Sequence, residues 1–458
     1  MFEDIDGVVL GEYADADGGL AYLSDEDRRR HLYVLGKSGV GKTTLVQAMI
    51  QSDLARGRGF ALIDPMGDLA EQVADRVPLS RENDVIYIDP SDSTHCLGFN
   101  PLHAVAVDNR PLVAAQIVAS FAAIWKLSLA DTPRLLYVLY NSLRLLLDTP
   151  GSTLLGLQKL LVDAENRRHL LRSCRDPAVR NFFEQELAEL SDRDAAATVG
   201  SVQNKIGMLL SGPLRNILGS PRPTINVRRA MDEGNVICLN LSKGKIGKGP
   251  TELLGALFTM AFAQAAEMRA AIPENDRRDF TLYAEEVHNY ATDSLVSIIT
   301  ESRKWRLSMV LSHQTLSQIP PLLARTILGT VGSIIAFRLG GEDADVLRVD
   351  LKNTEHIYDQ SALTFINVAE PIVLSDTSNF SAWVKLLDHG VPTKTRLVRT
   401  WPAEALVTGR LDAVRARSRA RYLRPRSLVE AKINRFLTSR AVPPRTRHHR
   451  SSQTRASA

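Results

Sequence analysis

Residues Gly36 to Thr43 read Gly-Lys-Ser-Gly-Val-Gly-Lys-Thr: a glycine, four residues, then Gly-Lys-Thr. A turn of this kind wraps backbone N–H groups around a β-phosphate. Lys42 reaches the β/γ-phosphates and the Thr43 hydroxyl ligates Mg²⁺. Gly36, Gly39 and Gly41 allow positive φ and close approach of a phosphate to the backbone. Lys37, Ser38, Val40 and Thr44 complete the stretch expected to touch the nucleotide. The apolar run His31–Leu35 leads in as a buried strand. Thr44–Leu54 follows as a helix, with Leu45, Met49 and Leu54 on one side and Gly57 beyond its end. Strand, loop and helix in that order are what the motif requires, and a helix N-terminus adds its own attraction for phosphate. The expected ligand is a nucleoside triphosphate.

A phosphate loop needs an acidic strand end to hold the metal and polarise water. Phe280–Ala284, followed by Glu285 and Glu286, supplies one. Glu285 is placed on Mg²⁺, through water, and Glu286 as general base on the attacking water. Side chains alternate along a strand, so the two can differ in role only if the strand has ended by Glu286. The plainer alternative is a surface acidic pair. Gln314, after the run Leu307–Leu311, could sense the γ-phosphate or be an ordinary loop amide. Arg338, at the end of Ser333–Arg338, could stabilise transition-state charge on a neighbouring subunit's nucleotide, or pair locally with Glu342 or Asp343. Asp64, ending Phe60–Ile63, faces the nucleotide or makes a turn.

These residues are carried by short runs rich in Val, Ile and Leu that do not alternate: His31–Leu35, Phe60–Asp64, Val85–Ile88, Val236–Leu241, Phe280–Ala284, Ser308–Ser312 and Ser333–Arg338. Such runs read as strands buried on both faces, hence a parallel sheet covered by helices. Gly7–Tyr13, Ala382–Leu387 and Thr395–Val398 are further strands. From about Arg110 to Leu218 the periodicity is helical, which is too long for a loop and reads as an inserted all-α subdomain. Leu411–Tyr422 is a basic helix, and a second follows Pro425 with Val429, Ile433, Phe436 and Leu437 as an apolar seam. From Ala441 onward composition favours disorder. The expected organisation is residues 1–104 and 221–408 as one ATPase domain interrupted by the insertion 105–220, then a basic helical segment 409–440 and a basic tail 441–458.

At 458 residues with 44% apolar content the chain can build real cores. No run is long and apolar enough for a membrane span. The acidic start (Glu3, Asp4, Asp6) is not that of a signal peptide. Cys96, Cys174 and Cys238 are unpaired in spacing, which favours a reducing compartment and a cytoplasmic protein. Residues 409–458 carry 14 Lys/Arg against 2 Asp/Glu, a local balance of +12, and since the whole chain has a net charge of +4 the remainder sums to −8. A basic tail on an acidic body points to nucleic acid or an anionic surface, with a merely solvated tail as the alternative.

Taken together the segments resemble the HerA/FtsK superfamily of hexameric DNA-pumping ATPases, in particular HerA-like proteins and conjugative type IV coupling proteins of the TraG/TraD kind. The resemblance runs over about residues 7 to 440. It rests on GKSGVGKTTL, ALIDPMGDL, GFNPL (Gly98–Leu102), LNLSKGKIG (Leu239–Gly247), AEEVHNYAT (Ala284–Thr292), ESRKWRLSMVLSHQ (Glu301–Gln314), FRLGGEDADVL (Phe337–Leu347) and SRARYLRPRSLVEAKI (Ser418–Ile433).

It implies an α/β fold: a RecA-like P-loop NTPase domain with a central, mostly parallel sheet, an inserted all-α subdomain and a basic helical C-terminal tail. ATP and Mg²⁺ follow as cofactors and DNA, in duplex form, as the substrate of a homo-hexameric ring that translocates it by ATP hydrolysis. Membrane-channel, relaxase or nuclease partners also follow, with no direct membrane span. Lys42 and Thr43 match the family's phosphate and Mg²⁺ residues, Glu285 and Glu286 its acidic strand motif, Gln314 its sensor glutamine and Arg338 a finger arginine. Coupling proteins usually carry Asp-Glu where this chain has Glu285-Glu286. Glu-Glu followed by His288 is closer to HerA-like members. Relatives often have His where Met66 stands, and membrane-bound coupling proteins begin with transmembrane helices, absent here.

Two competing classes remain. One is an ATP-operated switch or assembly protein, since Lys37 is similar to the signature lysine of partition and targeting ATPases. The other is a nucleotide-dependent scaffold whose tail binds protein. Trp305 and Lys304 could line a pore, or Trp305 could be core.

Overall fold

A computed structural model describes residues 6–438 apart from 129, 190–191, 210, 353, 360–363, 370–371 and 403–407. The basic tail 441–458 lies outside the described residues. One sheet collects eleven strands: β1 (Gly7–Tyr13), β2 (Leu20–Ser24), β3 (Leu32–Leu35), β4 (Gly59–Asp64), β5 (Val85–Ile88), β6 (Val236–Asn240), β7 (Phe280–Ala284), β8 (Leu307–His313), β9 (Ser333–Ala336), β10 (Ser381–Lys385) and β11 (Arg396–Thr400). Their order is β2-β1-β11-β10-β9-β3-β8-β7-β4-β6-β5. From β9 to β5 every neighbour is parallel. From β9 outward to β2 every pairing is antiparallel. This is the RecA-like P-loop fold, with β8 inserted between the strand that feeds the phosphate loop and the strand that ends in the two glutamates.

The absence of alternation in these strands has the expected cause. Successive residues point to opposite faces, and both faces are covered. Leu32 and Val34 pack with Leu45, Val46, Met49 and Ile50 of the helix Lys42–Ala55. Tyr33 and Leu35 face the other way, into the cluster that also takes Leu282, Met309 and Leu311. Helices between β5 and β6, among them Arg110–Trp125, Pro133–Asp148 and Gly156–Val162, send Ile117, Phe121, Leu139, Leu143 and Leu160 into that same cluster. The helical stretch therefore shares a core with one face of the sheet. Removing a side chain such as Phe121 or Leu139 would cost about 2–5 kcal/mol.

Two features of the sheet have no counterpart in the sequence expectations. Strand β2 forms an antiparallel hairpin with β1. Its Ala21 and Leu23 are buried while Leu20 and Tyr22 are exposed, so it is a half-buried edge strand with weak patterning. At the opposite edge, β5 is closed by the basic helix Leu411–Tyr422. Buried Ser418 accepts from Tyr87 N at 2.8 Å and donates to Tyr87 O at 2.9 Å, satisfying one residue of a strand edge that has no further strand beside it. Three of that helix's four arginines are matched to acids on the body: Arg415 to Glu71 at 2.9 Å, Arg417 to Glu82 at 3.3 Å and Arg419 to Asp92 at 2.6 Å. Arg424–Pro425 then pairs with His95–Cys96, and the helix Arg426–Thr438 buries Val429 and Ile433 while Phe436 and Leu437 of the expected seam stay exposed.

Among the described residues no helix is long and apolar enough to cross a membrane.

Candidate nucleotide-hydrolysis site

The loop after β3 and the ends of β7 and β8 converge at the carboxyl edge of the parallel strands. Gly36 is a glycine for a packing reason: a Cβ there would lie 2.6 Å from Phe337 Cβ. Gly41 is one for a conformational reason, with φ of +118° at the start of the helix Lys42–Ala55. No side chain caps that helix. Its first N–H groups are the orphan donors that, with the helix dipole, favour a bound phosphate. Lys37, Ser38, Gly39 and Thr43 are exposed on the loop, Thr44 is half-buried, and Val40 is buried beneath. Lys42 is only 5% exposed, and its Nζ donates to the carbonyls of Gly36 at 2.6 Å and Lys37 at 2.9 Å. Burial lowers its pKa, opposed by the charges of Glu286 and Glu285. The ammonium is thus held inside the loop, next to the carboxylates, on bonds it can exchange for phosphate oxygens.

The strand before the glutamates ends at Ala284. Glu286 then adopts a left-handed conformation, φ 45° and ψ 47°, rare for a side chain of this size. That turn breaks the strand alternation and gives the two carboxylates different surroundings. Glu285 is 4% exposed, anchored through its N–H to Ile63 O, and its Oε1 has no hydrogen-bond partner. Burial, with Asp64 and Glu286 nearby, pushes its pKa up to about 7. Glu286 is held below the ordinary carboxylate range: burial would raise it, but His288, Gln314 and Lys42 outweigh that. Gln314 Nε2 donates to Glu286 Oε1 at 2.9 Å, and His288 Nδ1 stands 3.3 Å from Glu286 Oε2. A carboxylate that remains ionised beside an amide that aims it is suited to accept a proton from water. A buried carboxyl with an unmatched oxygen, close enough to feel the Lys42 charge, suits a divalent cation. The donor set and the uncapped loop therefore fit Mg²⁺ and a triphosphate.

The remaining expected residues fall as follows. Asp64 accepts from Met66 N and Ala70 N, both at 2.9 Å, so it organises the turn into the helix Asp68–Asp75; burial raises its pKa. Met66 itself is half exposed. Arg338 lies two residues past the end of β9, and its carbonyl accepts from Lys37 N at 2.9 Å, so its backbone belongs to the chain's own loop. No ion pair between Arg338 and Glu342 or Asp343 occurs among the described residues; Asp343 instead accepts from Leu316 N at 3.2 Å. Trp305 is partly buried against the core, with Lys304 Nζ 4.5 Å from its ring centre.

Two neighbours of Gln314 join the site without a role assigned to them from the sequence. Ser312 Oγ and His313 Nδ1 are buried at the same strand end without hydrogen-bond partners. His313 Nε2 lies 2.5 Å from Tyr33 OH, and burial lowers its pKa to about 4.

Strand order, uncapped loop and acidic strand end define the class as a RecA-like P-loop domain. Among solved structures the chain is similar to the bacterial conjugative coupling protein TrwB, with a TM-score of 0.61 at 16% identity, covering 83% of this chain and 87% of that one. A TrwB structure in complex with ADP and Mg²⁺ matches at 0.59 and 17% identity, over 83% and 86%. VirB4 of Thermoanaerobacter pseudethanolicus matches at 0.52 and 15% identity, over 87% of this chain and 98% of that one. At these identities the likeness is one of fold. No family model matches the chain, and neither does any curated protein sequence.

Proposed function

We propose that the chain is an ATPase motor of the type IV secretion and conjugation class, which hydrolyses ATP in a homo-hexameric ring and translocates duplex DNA. The observation that carries it is the contrast between Glu285 and Glu286 beside one uncapped phosphate loop: the left-handed turn at Glu286 leaves Glu285 buried with an unmatched Oε1 and sets Glu286 on the Gln314 amide. That contrast is the division of labour that metal-assisted triphosphate cleavage requires. Solved TrwB structures hold ADP with Mg²⁺ and a non-hydrolysable ATP analogue, which supports the same ligands here.

Within that reading, N–H groups of Gly39, Gly41 and Lys42 cradle the phosphates. Lys42 leaves the Gly36 and Lys37 carbonyls for the β/γ-oxygens, and Thr43 and Glu285 hold the metal. Glu286, aimed by Gln314, takes the proton of the attacking water. Mg²⁺, when bound, neutralises developing charge on the phosphoryl oxygens. Arg338 is assigned to charge stabilisation at a site shared between subunits.

The test is ATP turnover of the purified chain with and without duplex DNA. Stimulation is expected, with ring particles in images taken with a non-hydrolysable analogue; a rate unchanged across DNA lengths and salt concentrations removes the motor. A second reading, an ATP-operated scaffold that binds a protein partner without moving DNA, is favoured by one observation. Arg415, Arg417 and Arg419 are turned to the acidic body, so these three cations of the basic helix are engaged within the chain rather than presented to a polyanion.

A further inference from the structure

Outside the residues assigned above, one strained side chain sits directly on the phosphate loop. Phe380 precedes β10 and has φ of +60°, a left-handed conformation that is a genuine outlier for a bulky residue. Three hydrogen bonds hold it there. Its N–H donates to Val40 O at 2.8 Å, and its carbonyl accepts from Thr400 N at 2.8 Å and Thr400 Oγ1 at 2.9 Å. The first of these ties it to the middle of the loop; the other two tie it to β11. The ring lies against Gly41, where an added Cβ would meet Phe380 Cδ1 at 3.0 Å. Yet Phe380 is 47% exposed. An aromatic ring that only filled core would be covered, and strained backbone persists where the surrounding structure enforces it, typically at ligand clamps.

We propose that Phe380 is the platform on which the nucleobase of the bound nucleoside triphosphate stacks. The proposal rests on the nucleotide-binding reading of the loop and extends it from the phosphates to the base. Gly41 opens the helix whose first turn, Lys42 to Thr44, faces the phosphates, so a ring lying on Gly41 stands beside the exit from the phosphate cradle. Every base offers a π-face, so stacking of this kind holds ATP and GTP alike without hydrogen-bond readout, and it contributes about 1–3 kcal/mol per base. The sequence of the loop by itself could not reveal this, because Phe380 arrives through the antiparallel strands far along the chain.

The experiment compares two ligands on four proteins. Affinities for ATP and for inorganic tripolyphosphate, each with Mg²⁺, are measured for the full chain and for Phe380→Leu, Phe380→Tyr and Phe380→Trp. The expected result is that Phe380→Leu weakens ATP about 5- to 150-fold and leaves tripolyphosphate unchanged. Tyr and Trp should restore ATP binding, and ATP should quench the emission of the introduced Trp relative to tripolyphosphate. If Leu serves as well as Phe for ATP, or if Leu weakens both ligands equally, the ring is only apolar cover for Gly41 and the platform is wrong. If the unsubstituted chain binds neither ligand, the nucleotide-binding reading fails and the platform with it, an outcome distinct from the other two.

Discussion

Strand β7 carries buried polar groups at two places, and the two are built in opposite ways. Beneath the phosphate-loop helix, Arg28 makes a bidentate pair with Asp53 at 2.7 and 2.8 Å. Tyr283 OH donates to Asp53 at 2.6 Å and accepts from Arg28 at 3.0 Å, and Asp25 is shared by Arg28, Arg56 and Arg58. Of the buried side-chain polar atoms in this cluster, Arg28 Nε alone lacks a partner. At the adjoining ends of β7 and β8, Glu285 Oε1, Ser312 Oγ and His313 Nδ1 are buried without one, and Glu286 Oε2 and His288 Nδ1 have only each other, at 3.3 Å. Unsatisfied buried polar atoms are costly and scarce in native proteins. Their concentration at the ends of β7 and β8 leaves that region with polar groups the fold does not match, whereas the other cluster completes itself. One region serves the fold, and the other is where the proposed chemistry would draw on groups the fold leaves unmatched.

The comparison is sharpest in the largest effects. Glu286→Gln keeps shape and removes the base, so steady-state turnover is expected to fall about 10²- to 10⁴-fold while ATP still binds by equilibrium titration. Turnover within a few-fold of the unsubstituted chain would remove Glu286 from the chemistry. Asp53→Ala, on the same strand's other partner set, strands the Arg28 charge and should cost about 3–5 kcal/mol in denaturant unfolding. A loss under 1 kcal/mol would mean the cluster relaxes as freely as the site.

Acid should probe a buried histidine that belongs to neither region. His31, buried with Nδ1 accepting from Met309 N at 3.1 Å, is held by burial at a pKa of about 4. The folded state therefore refuses a proton that the unfolded chain accepts below about 6.5. Its contribution is complete above that value and is lost as pH falls toward 4, up to about 3 kcal/mol. His31→Asn, whose side chain tolerates the left-handed backbone at φ 67°, should flatten that part of the pH–stability curve; an unchanged slope would assign it to other groups.

The smallest effect has the opposite sign. Glu285, with its pKa raised, stabilises only while protonated, so its contribution is lost as pH rises through about 7. In metal-free protein at pH 8, Glu285→Gln is expected to raise thermal stability by about 1–2 kcal/mol while weakening Mg²⁺-dependent ATP binding. A destabilised variant would place Glu285 with the structural cluster instead.

The phosphate loop, the two glutamates, Gln314 and the parallel strands were legible because each is local. A turn that wraps a phosphate, a strand buried on both faces and a strand end with carboxylates are written in consecutive residues. Strand β2 was not legible, because an edge strand with one solvated face carries little pattern. The basic helix Leu411–Tyr422 was recognised as a helix, but three of its arginines pair with Glu71, Glu82 and Asp92, whose partners no spacing reveals.

Composition and consecutive residues alone determined the α/β class, the nucleotide loop and the candidate acid, base and metal residues, since each depends on backbone geometry over a few positions. Only the tertiary structure decided the rest. It turned Glu286 left-handed so that adjacent carboxylates differ in pKa, closed the β5 edge with Ser418, and brought Phe380 onto Gly41. Burial and charge proximity are sums over residues distant in the chain, and they exist only once the sheet has assembled.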